Sequence, residues 1–188
     1  MEPQAPATET ATLFDPGMTV VYGLHGKCVV RAVESRQHLG EQISFYKLEP
    51  QKSTLSRSSR QEPAIWVPLS TAQARGLRAP LNADSAQAVL KIFSSREYFF
   101  RADDPWTVVQ PKLDQAIRQE GAIGLAKVAS YLHVLKKRQI VPSTEVSRLS
   151  ESVNKLILRE LSDALNQPIR ILEDRIAKDL RHKTLLDQ

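Results

Sequence analysis

The segment from Phe14 to Glu34, FDPGMTVVYGLHGKCVVRAVE, constrains the fold of this chain more than any other segment. An Asp-Pro-Gly turn leads into an apolar stretch over residues 19–22. A Gly-x-x-Gly connection, formed by Gly23 and Gly26, then returns the chain into a second apolar stretch that begins at Cys28. Two strands joined by a glycine-rich turn near the N-terminus predict a small, strongly bent β-barrel.

Further strands are predicted up to about Pro68. Side chains alternate over Ile43–Leu48, and a last short strand is predicted over Ile65–Val67. The Ser/Arg-rich segment between Pro50 and Pro63 predicts an exposed loop. The residues before this module are small, polar and Pro-containing, which predicts a disordered leader.

After Pro68 the apolar residues recur at helical spacing. Helices are predicted to begin at Asn82, at Gly121, after Ser143 and after Pro168. The inward-facing residues of these helices are Ala86, Val89, Leu90, Phe93, Ile123, Val128, Leu132, Leu135, Val146, Leu149, Val153, Leu156, Leu161, Leu165, Ile169, Leu172, Ile176 and Leu180.

The predicted fold class is therefore α+β, with a β-barrel followed by a compact all-α bundle of four or five helices. We expect residues 1–12 to form the leader, residues 13–75 the β module and residues 76–188 the helical module. A chain of 188 residues is long enough for two such small modules.

Catalytic chemistry has no recognisable motif in the sequence. There is no phosphate-binding loop, dinucleotide-binding glycine pattern or nucleophile elbow, and the four histidines are dispersed without zinc-site spacing. Asp103 and Asp104 precede Pro105, so we expect a helix start capped by Asp104 rather than a pair of catalytic carboxylates. The prediction is a protein that is not an enzyme and has no catalytic residue, metal, cofactor or small-molecule substrate.

The cysteine content and hydropathy indicate a cytoplasmic protein without membrane association. The single cysteine, Cys28, excludes an internal disulfide, and its apolar strand predicts a small core residue. No apolar run approaches the roughly 20 residues that cross a bilayer. The net charge of +5 is concentrated between Trp106 and Arg138, where six basic residues stand against two acids.

The strand motifs resemble the CarD/CdnL family of bacterial transcription factors, whose β domain also occurs in transcription-repair coupling factors. The resemblance covers roughly residues 13–181. It implies a Tudor-like bent barrel that binds the RNA polymerase β subunit, followed by a helical domain that contacts promoter DNA in a nucleoid-associated protein. The residues that carry it are Phe14, Gly17, Val20, Val21, Tyr22, His25, Gly26, the FYKL segment 45–48 and the IWVP segment 65–68.

Three residues receive roles from this resemblance. Arg36 and Trp66 stand where family members contact polymerase, and Trp66 is predicted to face outward because Ile65 and Val67 alternate with it. The alternative for Trp66 is burial. Trp106 stands where the family has a Trp that wedges into the minor groove at the upstream edge of the promoter bubble and stabilises the open complex. The alternative for Trp106 is a hydrophobic plug between helices.

The sequence departs from the family pattern directly after Trp106. Relatives have basic residues there, whereas this chain has Thr107–Pro111, whose β-branched residues and single proline predict an irregular segment. DNA phosphates would then be held by other side chains. For Lys136, Lys137 and Arg138, the equally favoured alternative is a solvent-exposed C-terminal helix end, where the helix dipole favours basic residues. The DNA-binding candidates are Lys112, Arg118, Lys127, Lys136, Lys137 and Arg138.

The predicted function is a monomeric, largely sequence-independent transcription regulator that binds polymerase and promoter DNA. The alternative is a protein–protein adaptor whose helical module binds a second protein instead of DNA. The valines after Trp106 favour the adaptor, and the basic excess that follows them favours DNA.

Overall fold

The computed structural model describes residues 12–38, 40–51, 63–95, 97, 99–101, 103–137 and 144–185. The predicted leader up to residue 11, most of the loop between Pro50 and Pro63, the Ser143 cap and Arg138 lie outside these residues.

The α+β fold class is confirmed. The strands are β1 (Thr19–Tyr22), β2 (Gly26–His38), β3 (Glu41–Pro50), β4 (Ile65–Pro68) and β5 (Leu77–Arg78). The helices are α1 (Ala83–Ser94), α2 (Trp106–Gln119), α3 (Ala122–Lys137), α4 (Thr144–Leu165) and α5 (Ile169–Leu185). None of the helices in the described residues combines the length and apolarity that crossing a membrane requires.

The five strands form one antiparallel sheet in the order β4-β3-β2-β1-β5. A register shift between Val30 and Ala32 bends β2. Closure into the predicted barrel is not seen in the described part of the chain. The fifth strand has only two residues, Leu77 and Arg78, and it pairs with β1 before the chain enters the helices. The sheet therefore has two edges, β4 and β5.

Strand alternation divides the sheet into an inner and an outer face. On β3, Tyr46 and Leu48 are buried in the β core, whereas Phe45 and Lys47 lie on the outer face. The Tyr46 hydroxyl accepts a hydrogen bond from the backbone N–H of Leu13 at 2.9 Å. This bond holds the N-terminal turn against the core.

The predicted role of Cys28 as a small core residue is confirmed. Its side chain is fully buried and it forms no disulfide. Val20, Val30 and Val67 are also fully buried in the same core.

The predicted cap of α1 is confirmed, since the Asn82 side chain accepts a hydrogen bond from the N–H of Ser85 at 2.8 Å. The third helix, α3, is buried on almost every side because α1, α2, α4 and α5 all pack against it. Leu125 and Ala126 are therefore as deeply buried as the predicted Val128.

Two expectations about α2 are wrong. Thr107–Pro111 lies within α2, because burial of Val109 and Leu113 contributes about 1.5–3 kcal/mol each and together offsets the weaker propensity of the β-branched residues and the roughly 3 kcal/mol cost of Pro111 inside the helix. Asp104 is not the cap: the backbone carbonyl of Pro105 receives the first helical N–H groups. The Asp104 carboxylate instead accepts from Lys112 Nζ at 3.3 Å.

The two modules are joined by polar contacts around Glu160, which is almost completely buried on α4. Its carboxylate accepts from the Arg78 guanidinium at 2.5 and 2.7 Å and from the N–H of Leu81 at 3.2 Å. A second ion pair joins Lys27 Nζ to Asp163 at 2.5 Å.

The turn between β1 and β2 approaches α4 closely. Gly26 has φ +73°, and a Cβ atom there would lie 2.7 Å from Leu156 Cδ2. Glycine suits this position chiefly because side chains rarely adopt its backbone conformation, with φ +73° and ψ −144°.

Candidate interaction surfaces

Trp66 lies on the outer face of the sheet, where it stacks with Arg36. Its neighbour Val67 is fully buried, and the Trp66 side chain is only half-buried. The Arg36 Cζ atom lies 3.5 Å from the centroid of the Trp66 ring, and Lys47 Nζ lies 5.2 Å from it. Arg36 is on β2 and Trp66 on β4, so the Arg36 side chain crosses β3 to reach the ring.

Glu34 connects the two cations of this surface. Its carboxylate lies 3.5 Å from Arg36 and 3.6 Å from Lys47. Such exposed pairs stabilise the fold little, but they limit the conformations of the Arg36 side chain above the ring. We call Glu34, Arg36, Phe45, Lys47 and Trp66 the Trp66 surface.

The Trp66 surface borders the edge strand β4. One side of this strand pairs with β3, and its other side has no strand partner in the described part of the chain. An unpaired strand edge can accept a strand from another protein through backbone hydrogen bonds. An aromatic ring and an open edge thus lie side by side.

Trp106 occupies a different environment at the start of α2. Its ring is half-buried and packs against the core of the helical module. The indole Nε1 is buried and has no hydrogen-bond partner among the described residues. Two residues later, Val108 is 47% exposed.

The α2–α3 hairpin is antiparallel. Gly124 of α3 packs against the backbone of Ala116, close to the turn between the helices. At the other end, Asp104 lies near Tyr131, and burial together with the Asp104 charge raises the pKa of Tyr131. The C-terminal turn of α3, with Lys136 and Lys137, therefore lies at the same end of the hairpin as Trp106.

The predicted DNA-binding residues do not form one patch. Lys112 and Lys127 are paired with Asp104 and Glu120, respectively. Lys136 and Lys137 are exposed at the end of α3, while the backbone of Arg118 lies next to Gly76 and its side chain is exposed.

His133 is a half-buried titratable group that the sequence analysis did not single out. Burial, with smaller contributions from Lys137 and Lys136, lowers the pKa of His133 below its ordinary value of 6.5. Its Nε2 atom is buried and has no hydrogen-bond partner in the described part of the chain. The histidine has no distinguishing local motif, so its environment could be found only from the packing of α3.

Glu160 and Arg78 were also missed, although the sequence contained a signal for the first. Glu160 follows Ile157 by three residues and directly precedes Leu161, which places a charge on the apolar stripe of α4. A charge at such a position is buried and needs a partner. The partner could not be identified, because Arg78 is far away in the sequence.

Comparisons with known proteins do not identify the chain. No protein-family model matches it, and no curated protein is similar to it in sequence. Within the described residues, no three His, Cys, Asp or Glu side chains are grouped closely enough to hold a metal ion.

Proposed function

We propose that the chain is a non-enzymatic transcription regulator of the CarD/CdnL type that binds the RNA polymerase β subunit through the Trp66 surface. The observation that carries this proposal is the stack of Arg36 on Trp66 at 3.5 Å. Both residues receive a polymerase contact from the same family resemblance, at positions on different strands. Their meeting at one exposed site supports a common role.

In this proposal the β module is a Tudor-like docking domain with an open sheet. A strand of the β subunit would add to the free edge of β4, and Trp66 would supply the aromatic anchor beside it. Arg36 would contribute a planar guanidinium that can bind a carboxylate of the partner.

The helical module would contact promoter DNA at the upstream edge of the bubble with the end of the hairpin that contains Trp106. Base stacking contributes about 1–3 kcal/mol, which corresponds to a roughly 5- to 150-fold increase in the open population. Because the ring packs partly against the core, its side chain must rotate outward to enter the minor groove. Lys136 and Lys137 would hold phosphates at the same end, and the remaining candidates, Lys112, Arg118, Lys127 and Arg138, would add contacts along the DNA.

The second candidate is the protein–protein adaptor, favoured by the exposure of Val108 and by the ion pairs of Lys112 and Lys127. The salt dependence of the binding affinity distinguishes the two functions. Each phosphate contact makes log K fall with log salt by a slope of about 0.9, whereas an apolar adaptor surface gives little dependence.

The lifetime of the promoter open complex, measured with purified polymerase, tests the proposal. We expect the chain to lengthen this lifetime and Trp106→Phe to retain less of the effect, since the smaller ring stacks less. Equal lifetimes with and without the chain would contradict the regulator. A salt-independent effect would favour the adaptor.

A further inference from the structure

A cleft of about 570 Å³ lies where the β1–β2 turn faces the C-terminal half of α2. None of the residues that line it belongs to the Trp66 surface or to the end of the hairpin that contains Trp106. The chemically active lining residues are Tyr22, His25, Arg75, Asp114 and Arg118. Arg118 comes from the helical module and the stacked rings from the β module, so both modules build this cleft.

Two aromatic rings stack on each other in the cleft. The Tyr22 and His25 rings are stacked, with centroids 5.5 Å apart and an interplanar angle of 5°. His25 is exposed, whereas Tyr22 is half-buried and packs partly on the β core. Another planar group can extend such a stack, and nucleobases stack on aromatic side chains without strong dependence on their identity.

The same cleft contains two arginines that form no ion pair with any described residue. Arg75 uses Nε to donate to Thr71 Oγ1 at 3.0 Å, which leaves its terminal amino groups without a partner in the described part of the chain. Arg118 is exposed and likewise forms no ion pair with the described residues. Guanidinium groups bind phosphate through paired hydrogen bonds, so the two arginines suit a phosphate monoester or diester.

Asp114 is the only carboxylate that lines the cleft, and it has no ion pair with the described residues. A carboxylate accepts hydrogen bonds from the exocyclic amino group of a base such as cytosine. It would repel a phosphate, so the proposed ligand must turn its base rather than its phosphate towards Asp114.

We propose that this cleft binds a nucleotide, either free or as one unit of a single-stranded nucleic acid. Arg75 and Arg118 hold the phosphate, the stacked Tyr22 and His25 rings support the base, and Asp114 favours a base with an amino group. This site needs neither the Trp66 surface nor Trp106, and it shares only Arg118 with the DNA contacts proposed above.

Titration of the full chain with cytidine monophosphate, uridine monophosphate and inorganic phosphate, followed by calorimetry, tests the site. Because stacking adds to phosphate binding, we expect cytidine monophosphate to bind at least about 5-fold more tightly than phosphate alone. Asp114→Ala should remove the preference for cytidine over uridine. The carbon-bound imidazole protons of His25, assigned with His25→Ala, should shift in the NMR spectrum.

Arg118→Gln and Arg75→Gln each remove one phosphate ligand, and either should weaken binding at least 5-fold, by about 1 kcal/mol or more. Arg148→Gln is the matched control: Arg148 is exposed on α4 and forms no ion pair with the described residues, so binding should not change. Circular dichroism melting shows which variants are folded, and two independent arginines keep the test decisive if one variant does not fold.

Fluorescence anisotropy with a short, labelled, single-stranded oligo-dC distinguishes a free nucleotide from a single-stranded nucleic acid as the ligand. Saturable binding of the mononucleotide supports a free nucleotide, and binding of the oligonucleotide alone supports a strand. The site is refuted if neither ligand binds, if both arginine variants bind like wild type, or if Arg148→Gln weakens binding equally. None of these results depends on polymerase.

Discussion

Trp66 and Trp106 are both half-buried, but their rings are held by different parts of the molecule. Trp66 lies outside the β core, under the guanidinium of Arg36 and beside a free strand edge. Trp106 packs on the helical core, and its Nε1 is buried without an acceptor among the described residues. Similar exposure can therefore leave one ring available to a partner and commit another largely to packing.

The largest expected change in the free energy of unfolding concerns Glu160. Its ion pair with Arg78 connects the sheet, which contains Trp66, to the helices, which contain Trp106. Glu160→Ala leaves the Arg78 charge without its bidentate partner, so the free energy of unfolding should fall by about 3–5 kcal/mol. Urea denaturation monitored by tryptophan fluorescence measures this change. Glu160→Gln, which keeps an acceptor for the Leu81 N–H, should lose less. A loss below about 1 kcal/mol for the alanine variant would show that the contact is a surface-like ion pair.

The next largest expected change in the free energy of unfolding tests the packing of Trp106. Truncation of a fully buried Trp costs about 3–5 kcal/mol, so we expect Trp106→Ala to lower the free energy of unfolding by about 2–3 kcal/mol for this half-buried ring. Trp106→Phe keeps an apolar ring and should lose less. If the alanine variant were as stable as wild type, the ring would not be a structural element and the comparison would fail.

Trp66→Ala should change stability much less. The ring contributes an exposed cation–π contact, which amounts to about 0.5–1 kcal/mol, and no part of the β core. Equilibrium urea denaturation of both tryptophan variants under the same conditions makes the comparison direct. A loss equal to that of Trp106→Ala would indicate that Trp66 is also mainly a packing residue.

The smallest expected effect is a pH dependence of the free energy of unfolding that comes from His133. This residue lies on α3, which ends near Trp106. Because the pKa of His133 is lowered in the folded chain, the unfolded chain binds more protons between that value and 6.5. The free energy of unfolding should therefore fall as the pH decreases through this window. Denaturation at several pH values should show a flatter dependence for His133→Gln. An unchanged slope would assign the proton uptake to other groups.

Local patterns were sufficient for most of the fold. Alternation identified the core strands, and Asn82 at the start of an apolar helical stripe identified its cap. Thr107–Pro111 was misjudged because intrinsic propensity was weighed without the tertiary burial of Val109 and Leu113. The extra buried residues of α3 were missed because a helix surrounded by other helices has no single apolar face.

The candidate surfaces depended on contacts that local patterns do not contain. Sequence motifs indicated Arg36 and Trp66 as separate candidates. Their stacking depends on how β2, β3 and β4 pair, which the motifs do not show. Similarly, Glu160 could be recognised as an unusual charge, whereas its partner Arg78 is set by how the modules pack. Residue types and spacing indicate candidates, and long-range pairing determines which candidates meet.

Calorimetry of wild type, Trp66→Ala and Trp106→Phe with the isolated RNA polymerase β subunit measures whether the Trp66 surface binds polymerase. An aromatic anchor at an interface contributes about 2 kcal/mol or more, so Trp66→Ala should weaken binding about 30-fold or more. Trp106→Phe should bind like wild type. Binding by Trp66→Ala that equals wild type, or a loss found only for Trp106→Phe, would contradict the assignment of the Trp66 surface to polymerase.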